Sequence, residues 1–232
     1  MKVTVRQLLD ASPTISVGIL TADLLRLGSE LAIIEQAGAT VVHVDVMDAV
    51  FCPQLTVGPP IIKVIPDCFV KDCHLMIDDP LSKVEAYVAA GAGIITCHVE
   101  STRHPHRLLQ ALSDTGVVRG IALNPGTPLE MLAPLINDLE LILLLAINPG
   151  WSGQTFLPGT ERRIADARKL IGNRDIILGV DGGVTKSNIG DVASLGADLI
   201  VSGSAIYDGA TTLDNARFML KKVRQEHARV TS

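Results

Sequence analysis

The sequence predicts one α/β domain closed into a (β/α)8 barrel. Three observations carry that expectation. Eight short β-branched or aliphatic runs alternate with amphipathic stretches along the whole chain, the pattern of parallel strands joined by helical crossovers. The connections are short, and no Gly/Ser-rich linker or charge run divides the series. Metal-competent side chains stand near the ends of three runs: His43 and Asp45 in VVHVDVMD, His74 in CHLMI and Asp181 in ILGVDGG. A parallel barrel gathers its functional groups at such ends. Closure also removes the exposed edges of a sheet. An open doubly wound sheet is the competing architecture, weakened by the lack of a GxGxxG after the first run. A chain of 232 residues, 47% hydrophobic, is long and apolar enough to fill one barrel.

The elements follow in order. A short helical pattern at about residues 3–10 precedes the first strand, where it would plug the bottom of the barrel. Strand runs fall at 16–20, 41–46, 70–76, 94–99, 118–123, 141–147, 176–180 and 199–202. Helical patterns lie between them at 23–36, 81–90, 107–113, 129–136, 160–171, 186–194 and 213–223. The segment 58–65 is the weakest helical pattern, opened by Pro59 and Pro60, because proline fits the first helical turn. Gly38, Gly91 and Gly196, in QAGAT, AAGAG and SLGAD, read as helix C-caps before the next strand.

Composition excludes several classes of partner. A formal net charge of -5 leaves no basic footprint for nucleic acid. The longest apolar run, 141–147, is too short to cross a bilayer, and the opening MKVTVRQLLDAS lacks the apolar stretch of a signal peptide. Cys52, Cys68, Cys73 and Cys97 show no CxxC spacing, which suits reduced thiols in a cytoplasmic enzyme.

His43 and Asp45 are two residues apart, so on a strand they point to the same side. With His74 on the third strand and Asp181 on the seventh, four donors converge on one ion. Two of them are carboxylates, which can also move protons. That favours metal-assisted acid/base chemistry over a sealed structural site. The second and seventh strands lie three steps apart, so Asp45 and Asp181 face each other across the barrel mouth with the metal between them. Such an arrangement suits taking a proton from one face of a carbon and returning it to the other. An isolated buried histidine is more often structural; four donors at strand ends outweigh that reading. His98 and Glu100 repeat the i,i+2 spacing and read as hydrogen-bonded neighbours rather than ligands. His104 and His106 open a helix and read as solvated.

Glycine-rich turns follow the last three strands: NPGWSGQ at 148–154, DGGV at 181–184 and SGSA at 202–205. Glycine lets backbone N–H groups approach an anion, and loops after strands seven and eight are the usual phosphate site of such barrels. Met47 and Met76 share the inward phase of the ligands. They could fill the core or floor a planar intermediate.

HVDVMD, CHLMI, GIALNPGTPLE, INPGWSGQ, VDGGV and VSGSAI together resemble the ribulose-phosphate 3-epimerases, from about Val17 to the eighth helix. The resemblance implies a (β/α)8 TIM barrel of the ribulose-phosphate-binding type with one divalent metal ion, zinc first, or iron, manganese or cobalt. It implies a homo-oligomer that inverts C3 of a small phosphorylated ketose through a 2,3-enediolate, by default D-ribulose 5-phosphate to D-xylulose 5-phosphate. Carried over residue by residue, the metal ligands are His43, Asp45, His74 and Asp181, with Asp45 and Asp181 as the acid/base pair. Substrate contacts fall on Gly18, Met47, His74, Met76 and Asp181, and Leu145 takes a third methionine's place. Phosphate falls on Gly150, Trp151, Ser152, Gly153, Gly182, Gly183, Gly203 and Ser204.

The departures cluster. The family's PSILSAD reads Val17-Gly18-Ile19-Leu20-Thr21-Ala22-Asp23 here, so Gly18 replaces a substrate-contacting serine. Its MDGHFVPN reads Met47-Asp48-Ala49-Val50-Phe51-Cys52-Pro53-Gln54, and Trp151-Ser152 stands where Phe-Gly is common. An intact metal set inside an altered wall is expected of a paralogue that keeps the reaction and takes another tetrulose, pentulose or hexulose phosphate. Two other readings compete. A decarboxylase of the orotidine-phosphate type needs Asp-x-Lys-x-x-Asp, and Asp45-Val46-Met47-Asp48 has no lysine. A non-catalytic sugar-phosphate-binding barrel would have no use for four intact ligands.

Overall fold

In a computed structural model describing residues 3–208 and 211–231, eight parallel strands close in sequence order, with β8 returning to β1. They are β1 (Thr14–Gly18), β2 (Val41–Met47), β3 (Val70–Met76), β4 (Ile94–His98), β5 (Val118–Leu123), β6 (Leu141–Leu145), β7 (Ile177–Asp181) and β8 (Leu199–Ser202). Helix α1 (Val5–Asp10) precedes β1. Around the barrel lie α2 (Leu27–Gln36), α3 (Pro59–Val64), α4 (Val84–Ala89), α5 (Pro105–Ser113), α6 (Thr160–Ile171), α7 (Ile189–Ser194) and α8 (Thr212–Thr231). Among the described residues no helix is long and apolar enough to cross a membrane.

Strand alternation splits the apolar residues into two compartments. Outward residues such as Val42, Val44, Cys73, Leu75, Ile95 and Leu144 join the helices in the larger core. Inward residues at the strand starts, Val41, Val70, Ile94, Val118, Leu141, Ile177 and Leu199, form a second cluster with Val3 and Leu8. Helix α1 therefore closes the bottom of the barrel. Its start is fixed by a capping box: Thr4 Oγ1 accepts from the Gln7 N–H at 3.3 Å, and Gln7 Oε1 accepts from the Thr4 N–H at 3.0 Å. Toward the top of the barrel the inward positions turn polar. There the register sets Asp45 beside His74 and Leu145 beside Asp181.

Several boundaries depart from the sequence pattern for identifiable reasons. β1 runs 14–18 rather than 16–20, because Ile19–Thr21 turn away as a 3-10 helix that an apolar run cannot distinguish from strand. Asp23 caps a 3-10 turn at Leu24–Arg26, so α2 starts later than its pattern. The stretch Leu129–Leu135 is 3-10 throughout; Pro134 within it cannot supply an α-helical N–H. The weak pattern at 58–65 is a helix, α3, with proline in its first turn. Gly38, Gly91 and Gly196 all take positive φ after their helices.

The loop after β2 is held at its base. Thr56 Oγ1 donates to the Asp45 carbonyl at 2.7 Å and accepts from the Met47 N–H at 2.9 Å. Asp48 accepts from the N–H groups of Val50, Phe51 and Asp78 at 2.8–3.0 Å. Between these anchors Ala49 is forced to φ +60, where an L-residue carries a strain of about 1–2 kcal/mol. Ala49→Gly should therefore raise the unfolding free energy by about 0.5–1 kcal/mol, after glycine's extra unfolded-state entropy is subtracted. Denaturant titration measures this. A loss of stability would show that Ala49 is not strained.

Candidate active site

Four side chains from β2, β3 and β7 meet at the top of the barrel. His43, Asp45, His74 and Asp181 each present one donor atom, and the four atoms lie within 4.8 Å of one another. Asp45 Oδ1 is 3.2 Å from both His43 Nε2 and His74 Nδ1, while Asp181 Oδ2 is 3.3 Å from His74 Nδ1 and 3.9 Å from His43 Nε2. A tetrahedral cation with bonds of ~2.0–2.1 Å separates its donors by ~3.3 Å. The spacing and the mixed N/O chemistry fit a divalent first-row ion. Both imidazoles are fully buried, whereas the carboxylates keep 18% and 13% exposure. The acidic groups thus face the cleft, and the histidines are buried behind them.

Behind this cluster lie partners that set the imidazole tautomers. Asp72 Oδ2 is 2.7 Å from His43 Nδ1 and accepts from the Ser16 hydroxyl at 2.8 Å. That contact keeps a proton on His43 Nδ1, so with a cation bound Nε2 would be the ligating nitrogen, its orientation set by Asp72 as an outer partner sets a metal-bound histidine. Neither Asp72 nor Ser16 emerges from the sequence reading. Asp72 could have been found, since it precedes His74 by two residues and shares its inward phase. His98 Nε2 is 2.8 Å from His74 Nε2, and His98 Nδ1 is 3.1 Å from Glu100 Oε2. These two residues sit one step removed from the donor cluster. His104 and His106 are exposed.

Burial alone would lower the His43 and His74 pKa values, but the facing carboxylates outweigh it. Asp72 and Asp45 hold His43 well above the ordinary imidazole value, and Asp181 and Asp45 raise His74. Burial would likewise raise Asp45; the His43 and His74 imidazoles overcome that and keep it well below the carboxylate range. His98 goes the other way: burial brings it down to about 4 despite its Glu100 partner.

A cleft open to solvent lies above the donors. Asp45 and Asp181 open into it beside Met47, Met76 and Leu145. Gly18, Gly150, Trp151, Ser152, Gly153, Gly182, Gly183, Gly203 and Ser204 also line it, with Gly18 packed against Gly203. Every residue expected to touch substrate thus borders the cleft except His74, which is fully buried and does not line it. No lysine or arginine is among the described lining residues. The glycines at 182 and 183 have positive φ, and a Cβ would fall 2.2 Å from Ile147 Cγ1 and 2.5 Å from the Phe156 nitrogen, respectively. Packing therefore requires these two glycines whatever else they do.

The imidazole shifts make the metal-free protein most stable near pH ~6.5. Above that value the folded chain keeps protons on His43 and His74 that the unfolded chain has released, so stability is lost as pH rises through the folded pKa values. Below it, the unfolded chain protonates His98, which the fold keeps neutral down to about pH 4. Melting temperatures of metal-stripped protein from pH 4.5 to 9 check this; a steady rise to pH 9 would contradict it. Metal affinity should fall with acidification, because the ion must displace protons from both histidines.

Comparison with known proteins agrees with this architecture. The ribulose-phosphate 3 epimerase family model matches residues 14–207. Ribulose-phosphate 3-epimerase of Escherichia coli (strain K12) is 42% identical over 220 residues, covering 91% of this chain and 98% of that protein. The Bacillus subtilis (strain 168) protein of the same name is 39% identical over 194 residues, 82% of this chain and 89% of its own. Among solved structures, 3-hexulose-6-phosphate synthase from Salmonella typhimurium matches with a TM-score of 0.71 at 17% identity, over 92% of this chain and 100% of that one. The 3-keto-L-gulonate-6-phosphate decarboxylase of Vibrio cholerae matches at 0.69 and 12% identity, over 92% and 98%. At those identities the two structures speak for the fold alone. With a family model spanning most of its length and close relatives along nearly all of theirs, the chain belongs to the ribulose-phosphate 3-epimerase family.

Proposed function

We propose that the protein is a metal-dependent epimerase that inverts C3 of a ketose phosphate, D-ribulose 5-phosphate to D-xylulose 5-phosphate in the first instance. One observation carries the reading. Asp45 and Asp181 reach the same donor cluster from β2 and β7 and both open into one cleft. A substrate lying over that cluster would meet a carboxylate on each face of its reacting carbon.

When bound, a divalent cation supplies Lewis-acid stabilisation of negative charge on the substrate oxygens beside that carbon. The chain's own residues do the rest. One aspartate takes the C3 proton, leaving a 2,3-enediolate, and the other delivers a proton to the opposite face; the roles exchange with reaction direction. Met47, Met76 and Leu145 give the planar species an apolar border that excludes water. With no basic side chain among the described lining residues, the phosphate is assigned to backbone N–H groups of the turns at 150–153, 182–183 and 203–204. Zinc is the first candidate metal, since two imidazoles and two carboxylates at tetrahedral spacing suit it; iron, manganese and cobalt are the alternatives. Free Cys52, Cys68, Cys73 and Cys97 suit a reducing cytoplasm. A homo-oligomer is the assembly expected of the family.

A second substrate is favoured by one specific feature. Gly18 has an ordinary extended backbone (φ -71, ψ 113), and a Cβ there would meet nothing closer than 3.5 Å. Neither backbone nor crowding demands glycine, so its effect is to leave space in the cleft wall. A ketose phosphate with more bulk at that wall would use it.

In D2O the substrate should gain deuterium at C3. Asp45→Asn and Asp181→Asn should each lower kcat for C3 inversion by at least ~10²–10⁴-fold, and the double variant should abolish exchange. Inversion at the wild-type rate in either single variant would refute the assignment. Chelation should remove activity and divalent ions restore it; a protein without metal and without rescue would be a binding module. A panel of four- to six-carbon ketose phosphates, scored by C3 inversion, identifies the substrate. Gly18→Ser should fold normally and shift KM within that panel more than it shifts stability.

A further inference from the structure

We propose that His98, Glu100 and Arg163 are positioning residues for the metal centre, forming a relay from α6 to the end of β4 that holds His74 with Nδ1 turned toward the other donors. The inference rests on the reading of His74 as a metal ligand, but not on what the enzyme turns over.

Proton counting carries it. His74 Nδ1 faces Asp45 and Asp181 at 3.2 and 3.3 Å, and its Nε2 faces His98 Nε2 at 2.8 Å. The two rings are 24° from coplanar with centroids 5.0 Å apart, so they meet edge to edge. Only one proton fits between two such nitrogens. If His74 offers its Nδ1 lone pair to a cation, its own proton is on Nε2 and is donated to His98. His98 must then carry its proton on Nδ1, the atom 3.1 Å from Glu100 Oε2. The opposite tautomer would set a nitrogen lone pair against a carboxylate. One assignment satisfies every atom.

The relay continues outward. Glu100 Oε1 accepts from the Asn124 N–H at 2.8 Å and from the Thr127 hydroxyl. Arg163, on α6, donates to the Thr127 and Asn124 carbonyls at 2.8 and 3.2 Å, which fixes the loop after β5 that grips Glu100. Phe51 lies against the His98 ring with centroids 4.7 Å apart and limits its rotation. Barrel closure needs none of this. A buried imidazole beside a carboxylate that keeps only 22% side-chain exposure is costly where aliphatic residues would fill the same wall. The relay makes sense as the outer support that gives a ligating histidine its tautomer and direction.

The test is cobalt and zinc affinity of the metal-stripped full-length protein, measured by chelator competition, with the visible spectrum of the cobalt form and the melting temperature of each metal-free variant. His98→Leu should weaken both metals by ~10–100-fold and alter the cobalt spectrum. His98→Gln can accept from His74 and donate to Glu100, and should restore most of the affinity. Glu100→Gln removes the charged acceptor and should weaken binding less than His98→Leu does; it decides the matter if His98→Leu does not fold. Arg163→Met should weaken binding least, because it acts through two backbone carbonyls. Wild-type affinity and spectrum in His98→Leu would overturn the proposal, as would a loss that His98→Gln leaves unrestored. A wild-type protein that binds metal normally but does not invert C3 would instead refute the proposed function.

Discussion

Two carboxylates brought together in a poorly solvated barrel mouth repel each other unless positive charge lies between them. That constraint organises the upper half of the molecule. In the metal-free state His43 and His74 supply the charge as imidazolium groups, which is why both are raised and Asp45 is lowered. In the loaded state the cation replaces the protons. Proton and metal are thus alternative occupants of one electrostatic site, and folding, metal uptake and acid/base chemistry draw on the same charges.

Satisfying that constraint requires strand geometry more than loop geometry. The two-residue period of β2 sets His43 and Asp45 on the inner face, and the β2–β3 register places Asp45 level with His74. A one-residue slip would turn both β2 donors outward into the helix layer. The outer partners act on a longer scale. Asp72 and Ser16 orient His43 from below, while His98 and Glu100 border His74 from the side. Each imidazole is therefore held at both nitrogens.

Much of this was legible in the sequence because it depends on local periodicity. Eight aliphatic runs, the glycines after helices, and the four donors at strand ends all leave one-dimensional signals, and the structure gathers those four donors at one point. What escaped was either conformationally ambiguous or long-range. Val17-Gly18-Ile19-Leu20 reads equally as strand or turn, so β1 was displaced by two residues. Pro134 sits in a stretch whose apolar spacing looks α-helical, yet the stretch folds as 3-10 turns. The Ser16–Asp72–His43 and Glu100–Asn124–Arg163 connections span strands or helices far apart in the chain, and no spacing rule links them. Ala49 stands in sequence where the family has glycine; only the backbone reveals its positive φ.

The stopper helix α1 has a wider implication. Leu8 and the first inward residue of nearly every strand make a hydrophobic base that shares no side chain with the donor cluster. Most of the inner apolar packing therefore lies at the pole opposite the donors, with Leu145 and Val201 joining it to the cleft. Changes in the cleft wall, such as at Gly18 or Trp151, leave untouched the base that keeps the cylinder shut. A lineage built this way can explore new substrates at little risk to its own folding.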